Sequence, residues 1–323
     1  MKQVTLVEYA TKREKNKSKL RKSAIVGTFL GPYGIAFCLF FVFPLVLGIV
    51  MSLSSFKNGS MFPNEFVGFD NFVQVFQNKI LSKKFWNSIL VTLRFDLIIV
   101  PLSIIIPLLL ALLINMKPFG YKFFRSCIYL PGIFPLTATG LILLKMFDFQ
   151  NGFINSVFNI QVDWFGSPGT AWFMIGVLCI WCGIGGNFII LCAGLENVDK
   201  TLLEASGVDG CNKLHKFWYV TLPAIKPQLI MCLFTTFIGY MNLYGQVLIL
   251  GSDVADQDAM KTTVFIIQDM LLGSSKGYGF ASAMAIVLGV IIIFISIIQL
   301  TLTGDRKGGS KYEKKYLAWK ESR

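Results

Sequence analysis

The sequence is short of charge and of histidine, and these shortages exclude several classes of protein. Only 15% of its 323 residues are charged, whereas about a quarter is usual in a soluble domain. The single histidine, His215, excludes a zinc site built from several histidines. The phosphate-binding pattern G-x-x-x-x-G-K-[ST] does not occur, so ATP has no site of that kind here. No constellation of carboxylates or nucleophiles stands out, and we predict neither catalytic residues nor a metal site.

The seven cysteines, an odd number, give no disulfide framework. None of them falls in a segment that we predict to be extracellular, where disulfides would form. Cys179 and Cys182 have the C-x-x-C spacing of redox sites, but they lie in the middle of an apolar segment. That position favours two small apolar membrane residues over a redox pair.

Long apolar segments are what the sequence has in abundance. Hydrophobic residues make up 54% of the chain, and its mean hydropathy is +0.63. They form blocks rather than helical stripes, and each block has roughly the 20 residues that cross a bilayer core. We therefore predict an all-α, polytopic membrane protein with six transmembrane helices. These predicted spans one to six lie at about 24–51, 88–115, 127–147, 171–195, 226–250 and 280–303.

The net charge of +12 has two explanations, nucleic-acid binding or basic residues gathered on the cytoplasmic side of a membrane. Eight of the 30 Lys and Arg residues precede Ser23 and seven follow Thr303, whereas the segment 148–170 has none. This alternation indicates membrane topology, so we predict no nucleic-acid partner. Both termini are predicted to be cytoplasmic. The basic tails 1–23 and 304–323 then flank one transmembrane domain, 24–303, with inner loops at 116–126 and 196–225.

Charged residues inside a membrane are costly and are therefore functional candidates. Arg94 and Asp96 are such a pair in span two. A structural ion pair is favoured over an ion-coupling relay, and the relay stays open as the alternative. Pro131 and Pro135 fall inside span three, where they indicate a kinked helix or simply the tolerance of membrane helices for proline.

The second inner loop, residues 196–225, is the most informative segment. Lys200–Val208 favours a short helix that Gly210 would end, and a second short helix is predicted at about Asn212–Tyr219 before Pro223 turns the chain towards the membrane. Small residues at 205–207 would allow close docking, and Glu204 could pair with an arginine of a partner. From these residues alone, the loop is either a docking element or a mere connector.

This segment resembles the EAA motif of the permease subunits of binding-protein-dependent ABC importers. The motif consists of E-A-A, then D-G, and finally L-P. Its matching positions here are Glu204, Ala205, Asp209, Gly210, Leu222 and Pro223, with Ser206 in place of the second alanine. Serine is small enough to keep the docking. Other stretches are similar to the carbohydrate branch of the family (the MalF/UgpA type), among them 66–72, 123–125 and 277–284.

The resemblance implies the type I importer permease fold (MetI-like) in the cytoplasmic, or inner, membrane. It also implies four kinds of partner besides membrane lipid: a second related permease, two ATP-binding cassette subunits, an extracellular solute-binding protein and a sugar or oligosaccharide. ATP and magnesium would bind the partner subunits, and no cofactor would bind this chain. The EAA-motif residues, Ser206 included, would transmit closure of the ATPases to the transmembrane helices, and we therefore call residues 196–225 the coupling loop.

Several polar side chains in spans four and five are candidates for lining the pathway of the solute. Polar side chains suited to sugar hydroxyls are Tyr240, Asn242, Tyr244 and Gln246 in span five and Asn187 in span four. Hydrogen bonding between helices is the alternative role for them. A neutral sugar is favoured over a glycerol phosphate, because few cations are buried. A stand-alone channel or secondary carrier, and a lipid-modifying enzyme, are the competing functions, and neither needs an ATPase-docking loop.

Overall fold

The computed structural model describes residues 27–56, 63–208, 210–251, 254, 256–272 and 277–303. The two predicted tails therefore lie outside the described residues. The described chain is mostly helical. In chain order its helices are α1 Gly27–Ser52, α2 Asp70–Gln77, α3 Leu81–Asn115, α4 Tyr121–Tyr129, α5 Leu136–Met146, α6 Phe153–Phe158, α7 Pro168–Glu196, α8 Lys200–Val208, α9 Lys213–Ala224, α10 Lys226–Met241, α11 Gly245–Leu250, α12 Thr263–Leu272 and α13 Tyr278–Thr303. Short 3-10 helices follow α4 at Leu130–Ile133 and precede α12 at Gln257–Met260.

The first outer segment folds back on the end of α1. Strands β1 (Ser54–Ser55) and β2 (Glu65–Phe66) pair antiparallel. The amphipathic helix α2 follows β2 in this segment. Its buried Asn71 donates hydrogen bonds from Nδ2 to the carbonyl oxygens of Ser52, at 2.8 Å, and Ser54, at 3.0 Å. One side chain thus satisfies the Ser52 carbonyl, which the end of α1 leaves without a helical partner, and the carbonyl of Ser54 in β1.

Four of the six predicted spans are single helices. α1, α3, α7 and α13 are each long and apolar enough to cross a bilayer. α3 has 35 residues and starts at Leu81, seven residues before the predicted start at 88, so its first two turns extend beyond the apolar segment. α3 and α7 pack tightly through Gly176, where an added Cβ would come within 2.7 Å of the Ile99 side chain. This contact lies in the main apolar core, which α3 and α7 share with α10 and α11.

Span three is not a continuous helix. The segment Tyr121–Ile133 and α5 are bent by 97° relative to each other. Proline explains the break, because Pro135 has no N–H to donate and its ring disfavours a helical conformation at Phe134. Phe134 is extended accordingly, with ψ of 140°. The kink predicted from Pro131 and Pro135 is therefore much sharper than an ordinary proline kink.

Span five is also interrupted, which the prediction of one span at 226–250 did not foresee. Its helix α10 ends at Met241, and the chain resumes as α11 only at Gly245. The break frees the carbonyl of Leu243, which accepts a 2.6 Å hydrogen bond from the buried Thr262 hydroxyl. Non-helical backbone at membrane depth persists only where protein or a cavity satisfies it, and Thr262 does so here.

α1 differs from the other spans because the bundle buries almost none of it. The most apolar window of α1 has no buried residue, whereas half of the corresponding window of α7 is buried. A π turn at Cys38–Val42 precedes Pro44 and accommodates the proline within the helix. The apolar surface of α1 is therefore open to lipid or to another subunit.

Candidate functional site

The coupling loop begins with α8, whose first turn is capped by Asp199. The Asp199 carboxylate accepts hydrogen bonds of 2.8 Å from both the backbone N–H and the hydroxyl of Thr201. These bonds favour the charged form, so they lower the pKa of Asp199 below its ordinary value. The helix starts and ends at Lys200 and Val208, as predicted from the sequence.

The end of α8 has the geometry that the sequence predicts for Gly210. Gly210 has a φ of +71°, a left-handed conformation that glycine adopts without a steric penalty. The N–H of Cys211 donates to the Ser206 carbonyl at 3.0 Å, and that of Gly210 donates to the Gly207 carbonyl at 3.2 Å. These two bonds form a Schellman motif, which closes the helix and reverses the chain. Asp209, the remaining residue of the D-G pair, lies outside the described residues.

The motif residues divide between the surface and the interior of the loop. Glu204 and Ala205 are exposed, whereas Ser206 is only 8% exposed. The Ser206 hydroxyl donates to the Leu203 carbonyl at 2.8 Å within the same helix. Serine instead of the usual alanine is thus accommodated at an inward position, so this departure from the motif leaves the exposed face of α8 unchanged.

The second helix of the loop is longer than predicted. Asn212 caps it by accepting from the backbone N–H of His215 at 2.8 Å. It then continues through a π turn at Phe217–Thr221 to Ala224, five residues beyond the predicted end at Tyr219. The prediction that Pro223 turns the chain is wrong, because proline is tolerated in the first turn of the short final helix, where its missing N–H is not needed.

The chain turns at Ile225 instead, where α9 and α10 are bent by 67° relative to each other. Pro227, in the first turn of α10, has no N–H to continue the hydrogen-bond ladder of α9. Ile225 is fully buried, so the turn is fixed in the core, and Leu222 and Pro223 just before it are half-buried. These last two motif residues therefore belong to the connection between the loop and the bundle.

An ion pair that no local pattern of residues indicated connects the two inner loops. The Arg125 guanidinium donates to the Glu196 carboxylate at 2.8 Å. Arg125 belongs to α4 and Glu196 is the last residue of α7, immediately before the coupling loop. Both side chains are partly exposed, so this pair contributes little stability, but it marks where the loop meets the inner end of the bundle.

A chain of hydrogen bonds crosses the middle of the bundle, and we call its members the polar seam: Ser103, Cys179, Asn187, Thr236 and Tyr240. The Tyr240 hydroxyl contacts the Ser103 hydroxyl at 2.9 Å and donates to the Cys179 carbonyl at 3.1 Å. Asn187 donates from Nδ2 to the Ser103 carbonyl at 2.8 Å and to the Thr236 hydroxyl at 3.0 Å. The seam joins α3, α7 and α10.

Two predicted pathway residues, Tyr240 and Asn187, thus bond to neighbouring helices in this conformation. Ser103 and Thr236 were missed by sequence reasoning. A signal for Ser103 exists, since it follows Thr92 and Asp96 by eleven and seven residues and thus lies on one face of α3 with them. The place of Tyr240 and Asn187 on a solute pathway stays a prediction.

The other three predicted pathway residues lie at or just after the break between α10 and α11. Asn242 is exposed and donates from Nδ2 to the Ile238 carbonyl at 2.7 Å. Tyr244 is half-buried, with its ring 5.6 Å from that of Phe265, and Gln246 is half-buried in the first turn of α11. Interrupted membrane helices are where transporters commonly bind solutes, because the free backbone groups face a cavity.

Arg94 and Asp96 do not form the ion pair that the sequence favoured. Residues two apart on a helix point in different directions, and Arg94 is exposed whereas Asp96 is 3% exposed. Both carboxylate oxygens of Asp96 lack a hydrogen-bond partner. Within the described ranges, no group of three or more His, Cys, Asp and Glu side chains is placed to hold a metal ion.

Comparison with solved structures and with known sequences identifies the class of this helix bundle. A chain of a bacterial ABC transporter involved in the import of the acidic polysaccharide alginate superimposes with a TM-score of 0.74, over 90% of this chain and 98% of that chain, at 20% sequence identity. The fold is therefore that of an ABC importer permease.

The family follows from the sequence comparisons. The model of the family described as binding-protein-dependent transport system inner membrane component matches residues 103–304, which is more than half of the chain, and the chain belongs to that family. The permease protein AraP of the arabinooligosaccharides transport system of Bacillus subtilis (strain 168) is 29% identical over 89% of this chain and 91% of that protein. The permease protein SmoG of the sulfoquinovosyl glycerol transport system of Agrobacterium fabrum is 29% identical over 84% of this chain and 88% of SmoG.

Proposed function

We propose that this chain is the permease subunit of an ATP-driven importer for sugars or oligosaccharides. The observation that carries the proposal is the coupling loop, where a capped helix presents Glu204 and Ala205 to solvent and ends at Gly210 in a left-handed turn. Within the described residues Glu204 makes neither an ion pair nor a hydrogen bond, so its carboxylate is available to a partner. Membership of the binding-protein-dependent family supports this reading of the loop.

The loop would transmit force from two cytoplasmic ATP-binding subunits. Closure of those subunits on ATP would move α8, and the rigid turns at Gly210 and Ile225 would pass the movement to α10. Both termini are proposed to be cytoplasmic, because the distribution of Lys and Arg favours that side. A second related permease would complete the pathway, and the open surface of α1 is a large apolar area for lipid and for that subunit.

The solute pathway is proposed to pass the break between α10 and α11. Tyr244 offers a ring and a hydroxyl, and Asn242 and Gln246 offer amides that both donate and accept hydrogen bonds. Tyr240 and Asn187 lie in the polar seam on the bundle side of that break and would join the pathway when the helices move. Asp209, Leu222 and Pro223 are assigned to the loop rather than to the solute.

Carbohydrates are the proposed substrate class because the relatives with known cargo carry them. AraP belongs to a system for arabinooligosaccharides and SmoG to one for sulfoquinovosyl glycerol. A neutral sugar is favoured for this chain, since it has few cations in its membrane segments. A solute-binding protein would deliver it from outside, and ATP and magnesium would bind the partner subunits.

Charge reversal at the exposed face of α8 tests the proposal. The chain is co-expressed with the ATP-binding subunit that co-purifies with it, and the affinity of the pair and the uptake of sugar are measured. Glu204→Lys should weaken the pair at least about tenfold, since a hydrogen bond to a charged group contributes about 1.5–3 kcal/mol. Glu204→Asp, which keeps the carboxylate, should bind nearly as wild type. Full affinity and uptake in Glu204→Lys would refute the coupling role.

A further inference from the structure

The second helix of the coupling loop, α9, carries an exposed aromatic face that the coupling role does not use. Leu214 is 69% exposed, Trp218 60% and Tyr219 73%. Leu214 and Trp218 are four residues apart, as are His215 and Tyr219, so the four side chains lie on one face of the helix. The rings of His215 and Tyr219 stack at 5.6 Å, which orders this face. We call these four residues the aromatic face of α9.

The orientation of α9 brings it close to the membrane plane. It is bent by 67° from the membrane helix α10 that follows it. A helix that crosses the bilayer is tilted by about 20° on average, so a segment bent this far from it runs more along the surface than across it. α9 therefore extends sideways from the start of α10 instead of projecting straight into the cytoplasm.

Its depth is fixed by the contacts of α10 with α7. An added Cβ at Gly194, in the last turn of α7, would lie 2.9 Å from the side chain of Gln228, in the first turn of α10. α10 therefore begins at the level where α7 ends. That level is the inner boundary of the membrane in the proposed topology, because Glu196 and Arg125 pair there. α9 joins the bundle at this boundary.

The charge of the segment matches the inner surface of a bacterial membrane. Residues 210–224 contain Lys213 and Lys216 and neither Asp nor Glu. Tryptophan and tyrosine are enriched at the headgroup level, where one part of the ring is apolar and the other is wet. Basic residues beside an apolar face are typical of helices that lie in the interface and bind anionic lipids.

We propose that α9 is an interfacial anchor whose aromatic face lies in the headgroup region of the inner leaflet, with the exposed Lys213 near anionic headgroups. The coupling loop then has two parts with different partners. α8 binds the ATPase, whereas α9 is held against lipid. When the ATPase moves α8, α9 therefore stays at the membrane surface. The inference rests on the proposed topology, which places this loop on the cytoplasmic side.

Quenching of tryptophan fluorescence by brominated lipid tests this anchor. The full chain is reconstituted in nanodiscs of phosphatidylcholine and phosphatidylglycerol with bromine near the headgroup. The emission of Trp218 is obtained as the difference between wild type and Trp218→Phe. Trp181→Phe gives a positive control in nanodiscs whose lipid carries bromine near the end of the acyl chain, since Trp181 is 53% exposed in the middle of α7 and therefore at mid-bilayer depth. The emission of Trp218 should fall at least twofold with brominated lipid, and should stay quenched when the ATP-binding subunit is added.

Two results would overturn the proposal. If Trp218 is not quenched while the Trp181 control is quenched, the aromatic face of α9 lies in water. If the quenching of Trp218 is lost when the ATPase is added, the face binds that protein instead of lipid. Replacing phosphatidylglycerol by phosphatidylcholine should reduce the quenching in wild type but not in Lys213→Gln, and an equal reduction in both would show that Lys213 has no role. ATP-driven sugar uptake by wild type is measured in parallel, so failure of the anchor is distinguishable from failure of the importer assignment.

Discussion

The coupling loop and the polar seam differ in how their polar groups are used. In the loop, Glu204 is exposed and its side chain forms no hydrogen bond or ion pair within the described residues, while the backbone around it is held by two local caps. In the seam, Tyr240 and Asn187 are buried and bond to side chains and carbonyls of other helices. An exposed acceptor on a rigid frame is suited to an external partner, whereas a satisfied buried network holds helices together. This difference in burial and hydrogen bonding identifies the coupling loop as a docking surface and the polar seam as a contact between helices.

The largest effect is expected at the turn that holds the loop in shape. Gly210→Val places a β-branched residue at a φ of +71°, which costs about 1–3 kcal/mol and disfavours the reversal after α8. Sugar uptake should fall at least tenfold while the ATPase activity of the assembly becomes independent of the solute-binding protein. Gly210→Asn is the matched control, because asparagine tolerates the left-handed conformation, and it should retain most of the uptake. Equal uptake in both variants would show that the turn is not needed for coupling.

A smaller effect is expected in the polar seam. Tyr240→Phe removes one hydroxyl that contacts Ser103 and Cys179, and hydrogen bonds between membrane helices contribute about 0.6 kcal/mol on average and about 1.7 kcal/mol at most. The thermal midpoint of the purified chain should fall by a few degrees, with the affinity of the ATPase unchanged. Tyr244→Phe, at the break, should leave that midpoint unchanged and should alter the KM of uptake. If Tyr240→Phe altered the affinity for the ATPase, the polar seam would not be a purely internal contact, and its distinction from the coupling loop would be wrong.

The smallest effect on stability is expected at Asp96. Its carboxylate is buried without a partner, so replacing it by the amide of the same shape removes no hydrogen bond. Asp96→Asn should therefore keep or slightly raise the thermal midpoint. Asn187→Leu, at a position of similar burial but with two hydrogen bonds, should lower it. A large loss of stability in Asp96→Asn alone would show that the carboxylate has an essential partner in the assembled transporter.

Local signals in the sequence were sufficient for the loop and insufficient for the seam. The bounds of α8 and the turn at Gly210 follow from residues within a few positions of each other, and they were predicted correctly. The bend at Ile225 was misplaced at Pro223, since proline is compatible with the start of a helix and the burial of Ile225 decides where the chain turns. Ser103 and Thr236 were missed because their partners are distant in the sequence.

The membrane spans show the same limit. Apolar length predicted α1, α3, α7 and α13, since a helix of about 20 apolar residues is long and apolar enough to cross the bilayer. Apolar length does not predict the sharp bend in span three or the interruption of span five. These depend on where neighbouring residues bond to the backbone groups that a break leaves unpaired, as Thr262 does for the Leu243 carbonyl. The pairing of Arg94 with Asp96 was wrong because sequence proximity was taken for contact.

ATP-dependent uptake in proteoliposomes tests the central claim most directly. The chain is purified with the subunits that co-elute with it and reconstituted with its solute-binding protein. Uptake of radiolabelled arabino- and malto-oligosaccharides is then followed with and without ATP. The account predicts accumulation of one of these sugars that requires both ATP and the binding protein and is lost in Glu204→Lys. Uptake by this chain alone, driven by an ion or solute gradient without ATP, would contradict it.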